Sequence, residues 1–541
     1  MVDFGEILTN IGDFGFFQQV VVLGLTFQCC LLQAFYCSFL FIQSDPERHC
    51  NTDWILRADL NLTTDEQLNL TLPRGEDGTF SRCQMFVPVD WGIDTIREYG
   101  LNETTGGQHG WVYYSTLYEA TIVTDFDLVC ERANMAGAVQ TVFMGGKFIG
   151  SLIFGPAAES FGRRRTTLLP VVLLLIFVAV SGLSPNFYGY LVSQFIVGSA
   201  YGGYKINAVV LATEWMGINK RSLPSCLSQL FGALGQCAIA CLVYGIRDWR
   251  TAQYVLAGAQ AFVFIYIWWI PESARWLLGH GRNFEANELI CKVAAINKKH
   301  IPENLLLKIT GNQEVQSGGI KTLFSSTVLV KYFFIISFTW FSLNLGYYCL
   351  ILNVGNFGLS IFLVQFLFGI TEVPAHLLCI LVLKFVGRRK SLISILLTAG
   401  CVCLFTLVFA EDNAVVVTSL VTTGKLFLNW GSSICMIYIQ GLFPTSVRQT
   451  AVGLGFTVCR VAGFLSPLLN MLAIYRHSIP IVFFSSLIVI SGALVLLLPE
   501  TSTIELPDST DEAEDNRNIT TSKSANDSNM AENSSTKSTK F

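Results

Sequence analysis

Charge is scarce in this chain. Only 14% of its 541 residues are Asp, Glu, Lys or Arg, too few to clothe a soluble globular domain of this size. Signatures of chemistry are missing too. There is no glycine-rich phosphate loop ending in Lys and Ser or Thr, which excludes the commonest way of drawing energy from ATP, and no Gly-x-Ser-x-Gly elbow, which excludes the commonest hydrolase nucleophile. Six His are present, but no His or Cys set outside the apolar runs has metal-ligand spacing, so no metal and no cofactor is expected. The first nineteen residues lack a basic segment and a small-residue cleavage site, so the first apolar run reads as a retained helix and not a signal peptide. The formal net charge of −4 marks no nucleic-acid partner. The sequence of an enzyme is not what is left.

What the chain does have is apolar surface: 52% hydrophobic residues, with 41 Phe among them. Stretches long enough to span about 30 Å of hydrocarbon recur along it. In the first half they cover residues 20–42, 135–156, 166–182, 188–211, 225–244 and 251–270; in the second, 332–352, 361–383, 392–409, 415–438, 451–474 and 479–498. The expected fold is an all-α membrane protein of twelve helices. Its parts are an N-terminal segment, 1–19; a six-helix bundle, 20–270, with a large loop at 43–134; a polar connector, 271–327, helical over 284–293; a second six-helix bundle, 328–500; and a tail, 501–541, too polar to order itself.

Basic residues fix the expected orientation. Arg163, Arg164 and Arg165, Lys220 and Arg221, and Arg388, Arg389 and Lys390 all fall on one side, which the positive-inside tendency makes cytoplasmic together with both termini. The 43–134 loop is then extracellular, as in a plasma-membrane protein. It carries the sequons at Asn61, Asn69 and Asn102 as glycosylation sites, and Cys50, Cys83 and Cys130 as disulfide candidates. Three is an odd number, so one thiol stays free or pairs with a membrane-edge partner such as Cys37. The last residues, Thr539-Lys540-Phe541, can add a strand to a PDZ-type scaffold groove, although short tails of this form also arise by chance.

An internal repeat runs through the chain at a spacing of roughly 225 residues. Gly162-Arg163-Arg164 matches Gly387-Arg388-Arg389, Arg221 matches Arg448, and Pro271-Glu272-Ser273 matches Pro499-Glu500-Thr501. Two parallel bundles follow, with a substrate site near the midplane between them and rocking as the mode of access.

A charged side chain near the bilayer centre costs about 2.5 to 3.5 kcal/mol on insertion scales, so each one needs a partner or a task. Within the spans stand Lys147, Lys205, Lys425, Arg460 and His376, against only Glu372 and the terminal Glu214. The cationic surplus favours an anionic substrate. Plain alternatives exist: lysines near helix ends snorkel, Lys425 pairs structurally, and Glu372 neutralises one lysine. Arg460 offers a fork to a carboxylate. His376 follows Pro374 and would add a titratable cation, in which case uptake rises as external pH falls from about 7.5 to 5.5. Among the aromatics of the seventh span, Tyr347 and Tyr348 are the candidates for substrate contact, with Trp340 beside them; such rings more often pack against helices. Gly146 and Gly150 form a small-xxx-small pair for close helix packing.

Pro271-Glu272-Ser273-Ala274-Arg275-Trp276-Leu277 closely resembles the loop after the sixth helix of solute carrier family 22, organic ion transporters of the major facilitator fold. Also similar are Ile11-Gly12-Asp13-Phe14-Gly15, Thr213-Glu214-Trp215, Arg247-Asp248-Trp249-Arg250, Glu372-Val373-Pro374-Ala375 and Leu442-Phe443-Pro444-Thr445. The resemblance implies an anion or zwitterion carrier, because the cation carriers of that family have Asp where this chain has Arg460. Arg448-Gln449-Thr450 and the segment 354–359 look most like its organic anion branch, which implies exchange of nicotinate, urate and similar carboxylates for a counter-anion. Glu159, Arg163, Arg164, Glu214, Glu272, Arg275, Arg388 and Arg389 fall in its cytoplasmic gating network. Departures are plain: His376 replaces a permanent cation, Glu159-Ser160 an Asp-Arg pair, Gln194 an Arg, Gly441 a Glu and Gly232 an aromatic, while Lys147 and Lys205 stand where the family is neutral. The alternatives to an anion carrier are a carnitine-like zwitterion carrier, with Glu372 for the ammonium, and a carrier-fold receptor or scaffold that does not transport.

Overall fold

The protein is described by a computed structural model covering residues 4–12, 14–42, 46–75, 78–114, 120–217, 220, 223–299, 320–352, 360–408, 414–443, 445–476 and 478–500. Among the described residues, twelve helices of 18 residues or more carry the architecture. They are α1 Phe16–Ile42, α2 Ala133–Phe161, α3 Arg163–Leu183, α4 Phe187–Glu214, α5 Leu223–Gly245 and α6 Trp249–Ile267, then α7 Thr327–Leu352, α8 Ile361–Val386, α9 Arg388–Phe405, α10 Ala414–Leu442, α11 Thr445–Met471 and α12 Ser478–Val495. Among the described residues, eight helices are long and apolar enough to cross a membrane by length and composition alone. Several run past the hydropathy boundaries. The last turn of α2 and the first of α11 are polar, so an apolar window ends before the helix does, whereas α12 stops at Val495 because 496–498 form turns.

Backbone contact joins α2 to α4. A Cβ on Gly146 or Gly150 would overlap the main chain of Phe195 or Ser199, and one on Gly198 or Gly202 would overlap that of Phe143 or Lys147. Small residues on both helices allow this approach where lipid supplies no hydrophobic drive for association. The same seam sets Lys147 and Lys205 on neighbouring helices.

The sequence repeat is a structural repeat. Gly162 takes φ 99° and Gly387 takes φ 86°, a region that glycine enters without steric cost. The amides that follow are accepted by one carboxylate in each half: Arg164 N donates to Glu272 Oε1 at 2.9 Å, and Arg388 N to Glu500 Oε1 at 3.0 Å. Each second arginine then caps a helix end, Arg164 on the Trp268 carbonyl and Arg389 on the Leu496 carbonyl.

Among the described residues the connector has three helices, Ala274–Gly279, Asn283–Ile296 and Ile320–Ser325, the second longer than its apolar periodicity indicates. Asn297 after it ties the connector to the N-terminal segment, donating to the Ile11 carbonyl at 3.2 Å and to Gln18 Oε1 at 2.8 Å. In the 43–134 loop, β1 Glu47–Cys50 pairs antiparallel with β4 Trp111–Tyr114, and β2 Gln84–Phe86 with β3 Thr104–Gly106. Cys83 and Cys130 form a disulfide. Cys50 and Cys37 are both free and buried; Cys50 packs with Leu72 and Met85 in a small core of its own. Asn61, Asn69 and Asn102 are exposed. The 501–541 tail, with its terminal strand motif, and segment 354–359 lie outside the described residues.

The two bundles meet in a tight seam at the end that carries this loop. Phe41 stacks on Phe362 with ring centroids 5.5 Å apart, Gly369 lies against Ala233 and Cys237, and Gly463 against Tyr348 and Met144.

Gly150→Leu is expected to push α2 off α4 and lower the melting temperature of the purified protein, overpacking of this kind costing about 1–3 kcal/mol. Gly232→Ala is the control, since nothing lies within 4 Å of its Cβ. Equal melting temperatures for the two variants would contradict the packing account.

Candidate functional site

Between the bundles lies a small cavity of about 70 Å³. From the first bundle, α1 contributes Gln33 and Tyr36, α2 Lys147, α4 Tyr201 and Lys205, and α5 Ser228, Gln229 and Gly232. From the second, α7 contributes Asn344, Tyr347 and Tyr348, α8 Glu372, and α10 Asn429 and Ser432. Tyr201 and Lys205 are one helical turn apart, as are Ser228 and Gly232, so each helix turns one polar stripe inward.

Lys147 is 3% exposed and sits in a cage of tyrosines. Its Nζ donates to Tyr348 Oη at 2.9 Å and lies 4.5 Å from the Tyr201 ring centroid, 4.8 Å from Tyr348 and 5.1 Å from Tyr36. Three π faces partly replace the water the ammonium has lost. The Lys147–Tyr348 bond also joins the two bundles. Lys205 lines the cavity and has no hydrogen-bond or ion-pair partner among the described residues. Arg460 stands behind the wall at 8% exposure, within electrostatic reach of Lys147, Lys205, Tyr201 and Tyr348. Its Nε is buried without a hydrogen-bond partner among the described residues.

The one carboxylate of the wall is already taken. Glu372 is ion-paired with Lys425, both of them buried, and Lys425 also donates to Gln236 Oε1 at 3.3 Å and the Phe368 carbonyl at 3.4 Å. That leaves Lys147, Lys205 and Arg460 without a carboxylate among the described residues of the spans. A pair of unit charges 4 Å apart exchanges about 4 kcal/mol at an effective dielectric near 20, so three cations in one dry space repel each other and attract an anion.

Like Arg460, two further candidates lie outside the wall. His376 is buried behind it, where Asn429 presents its amide nitrogen to His376 Nε2 at 3.2 Å; an amide nitrogen only donates, so this ring nitrogen is the acceptor. Trp340 packs on Phe456 and donates from Nε1 to Ser432 Oγ at 2.9 Å, which makes it a support for a lining residue. Charged side chains and paired aromatics drew the eye in the sequence, and so the neutral wall of Gln229, Asn344, Asn429 and Ser432 was missed, with Tyr36 and Tyr201. The signal was there: polar residues one turn apart on helices that are otherwise apolar.

At the basic end the motif residues form a network. Arg163 Nη2 meets Glu159 Oε1 at 2.7 Å and its Nε meets Glu214 Oε1 at 3.3 Å. Arg275 lies within electrostatic reach of Glu214. Trp276 Nε1 donates to the Glu159 carbonyl at 2.8 Å, so the loop after α6 is locked to the α2–α3 turn.

Residues 91–511 match the family model described as Sugar (and other) transporter. The chain is 35% identical over 503 residues to solute carrier family 22 member 13 of Homo sapiens, covering 93% of this chain and 91% of that protein. It is 32% identical to solute carrier family 22 member 6-B of Xenopus laevis, covering 94% of each. This chain belongs to solute carrier family 22. Among solved structures, the major facilitator proton:xylose symporter XylE superposes with a TM-score of 0.59 at 14% identity, over 92% of this chain and 98% of that one. A partially occluded inward-open form of XylE from E. coli gives 0.60 at 13% identity, over 91% of this chain and 100% of that one. The family 22 carrier described here therefore has the major facilitator fold and is a multi-pass membrane transporter.

Glu372→Gln strands a buried ammonium, and loss of one partner from a buried pair costs about 3–5 kcal/mol. The expected result is a large fall in melting temperature for Glu372→Gln, most of it recovered in the double variant Glu372→Gln/Lys425→Met. Additive losses in the double variant would show that the two side chains do not act as a pair.

Proposed function

We propose that this carrier moves small organic anions across the plasma membrane by alternating access, with its termini in the cytoplasm, and that it works by exchange for a counter-anion. The observation that carries the reading is the charge left in the cavity: Lys147, Lys205 and Arg460 have no carboxylate among the described residues, because Lys425 holds Glu372. Lys205 faces the cavity as the first contact for a carboxylate. Lys147 comes next, since it can exchange the Tyr348 hydroxyl for a substrate oxygen. Arg460 adds charge from behind. Because Lys147 on α2 touches Tyr348 on α7, an anion that displaces this bond also loosens a contact between the bundles, linking occupancy to rocking.

Nicotinate, urate and related small organic anions are the substrates this reading favours, with Tyr347 and Tyr348 against the organic body. A zwitterion such as carnitine needs a free carboxylate for its ammonium, and Glu372 is occupied. The gating role proposed for Glu159, Arg163, Arg164, Glu214, Glu272, Arg275, Arg388 and Arg389 rests on their joining consecutive helices at the basic end, where a rocking motion has to break contacts.

The test is uptake of labelled nicotinate, urate, p-aminohippurate and carnitine into cells expressing wild type, Lys205→Ala or Arg460→Ala at matched surface amounts. Anion uptake by wild type is expected to fall by about tenfold or more in each variant, a charged hydrogen bond being worth about 1.5–3 kcal/mol. Uptake of carnitine alone, or anion uptake that neither variant alters, would overturn the proposal.

A further inference from the structure

The cavity draws little on the apolar stock of the chain. With 41 Phe in the sequence, no Phe, Trp, Met, Val or Ile is among the described residues that line it, and Leu32 is the one branched aliphatic there. Small-molecule sites are ordinarily lined mostly by hydrophobic and aromatic groups, with a few polar anchors. Here the aromatic surface comes from tyrosines alone, Tyr36, Tyr201, Tyr347 and Tyr348, each with a hydroxyl, and neutral hydrogen-bonding groups, Gln33, Ser228, Gln229, Asn344, Asn429 and Ser432, stand beside the cations.

Several of these groups are not used up by the protein. Gln229, half-buried on α5, makes no hydrogen bond to a described residue, and neither does the Tyr347 hydroxyl. Asn429 spends its side-chain nitrogen on His376 and leaves its side-chain Oδ1 without a described partner. Next to Gln229, the space over Gly232 is open, with nothing within 4 Å of its Cβ position. Room and unspent polar groups therefore coincide on the wall between Lys205 and Tyr347.

We infer that the anion carried here is hydrophilic: a carboxylate whose body bears several hydroxyl or amide groups, its acidic end between Lys147 and Lys205 and its body hydrogen-bonded to Gln229, Tyr347 and Asn429. This rests on the anion-carrier reading above and departs from it in the body of the substrate, which it makes polyhydroxylated in place of the aromatic ring of nicotinate. An amphiphilic aromatic acid of the same size would strip water from these groups and give nothing back. A site built to hydrogen-bond its substrate rejects the analogue that lacks the partners far more strongly than an apolar pocket rejects an extra group.

The experiment sets labelled glucuronate and gluconate against benzoate and p-aminohippurate in cells expressing the full chain as wild type or Gln229→Leu, with surface amounts matched by biotinylation. Wild type is expected to take up the polyhydroxy acids at least tenfold faster than the aromatic acids. Gln229→Leu is expected to lower polyhydroxy uptake by about tenfold and to lower the ratio of polyhydroxy to aromatic uptake with it. Aromatic acids carried as well as or better than the polyhydroxy acids would overturn the inference and leave the anion-carrier reading standing. Uptake of none of the four, nor of nicotinate or urate, by surface-expressed wild type would overturn both. The wild-type comparison decides the matter even if Gln229→Leu fails to reach the surface.

Discussion

Glu372 and Lys425 neutralise each other between α8 and α10, and the charge of the whole cavity follows from that. Were the carboxylate free, it would balance Lys147 or Lys205, and the site would suit a zwitterion. Held by Lys425, and with Gln236 and the Phe368 carbonyl satisfying the rest of the ammonium, it is withdrawn from the cavity's balance. Three cations then face a single carboxylate that is already paired, a state that an incoming anion relieves.

Positioning those cations is the work of glycine. Gly146, Gly150, Gly198 and Gly202 let α2 and α4 touch backbone to backbone, which brings Lys147 and Lys205 to adjacent points of one wall. The tyrosines around Lys147 belong to three different helices, α1, α4 and α7. The lysine is thus held by both bundles at once. At the basic end the two copies of the Gly-Arg-Arg turn, each closed by its own glutamate, give the bundles matching rigid corners. Stiff corners and a tight seam at the loop end leave the midplane as the place where ligand and movement meet.

Much of this was legible in the sequence because it rests on local rules. Apolar runs of spanning length, a Gly-Arg-Arg motif repeated in each half, and a charge surplus inside the membrane can all be read residue by residue. The choice of partner was not legible. Glu372 had four cations to choose from, and only the approach of α8 to α10 selects Lys425. Arg460 looked like the foremost ligand from its depth in α11, yet the wall itself is made by Lys147 and Lys205, with Arg460 behind. His376 and Trp340 serve lining residues instead of lining. The neutral wall went unnoticed because Gln229 or Asn429 in an apolar helix carries no signal until the face it shares is known.

Equilibrium binding of nicotinate and nicotinamide to the purified carrier tests the central claim most directly, because the two ligands share a ring and differ in a carboxylate against an uncharged amide. The account predicts saturable nicotinate binding, weakened by Lys205→Ala, and nicotinamide binding weaker by about tenfold or more. Equal affinity for the two, or nicotinamide preferred, would mean that the three cations do not select the substrate.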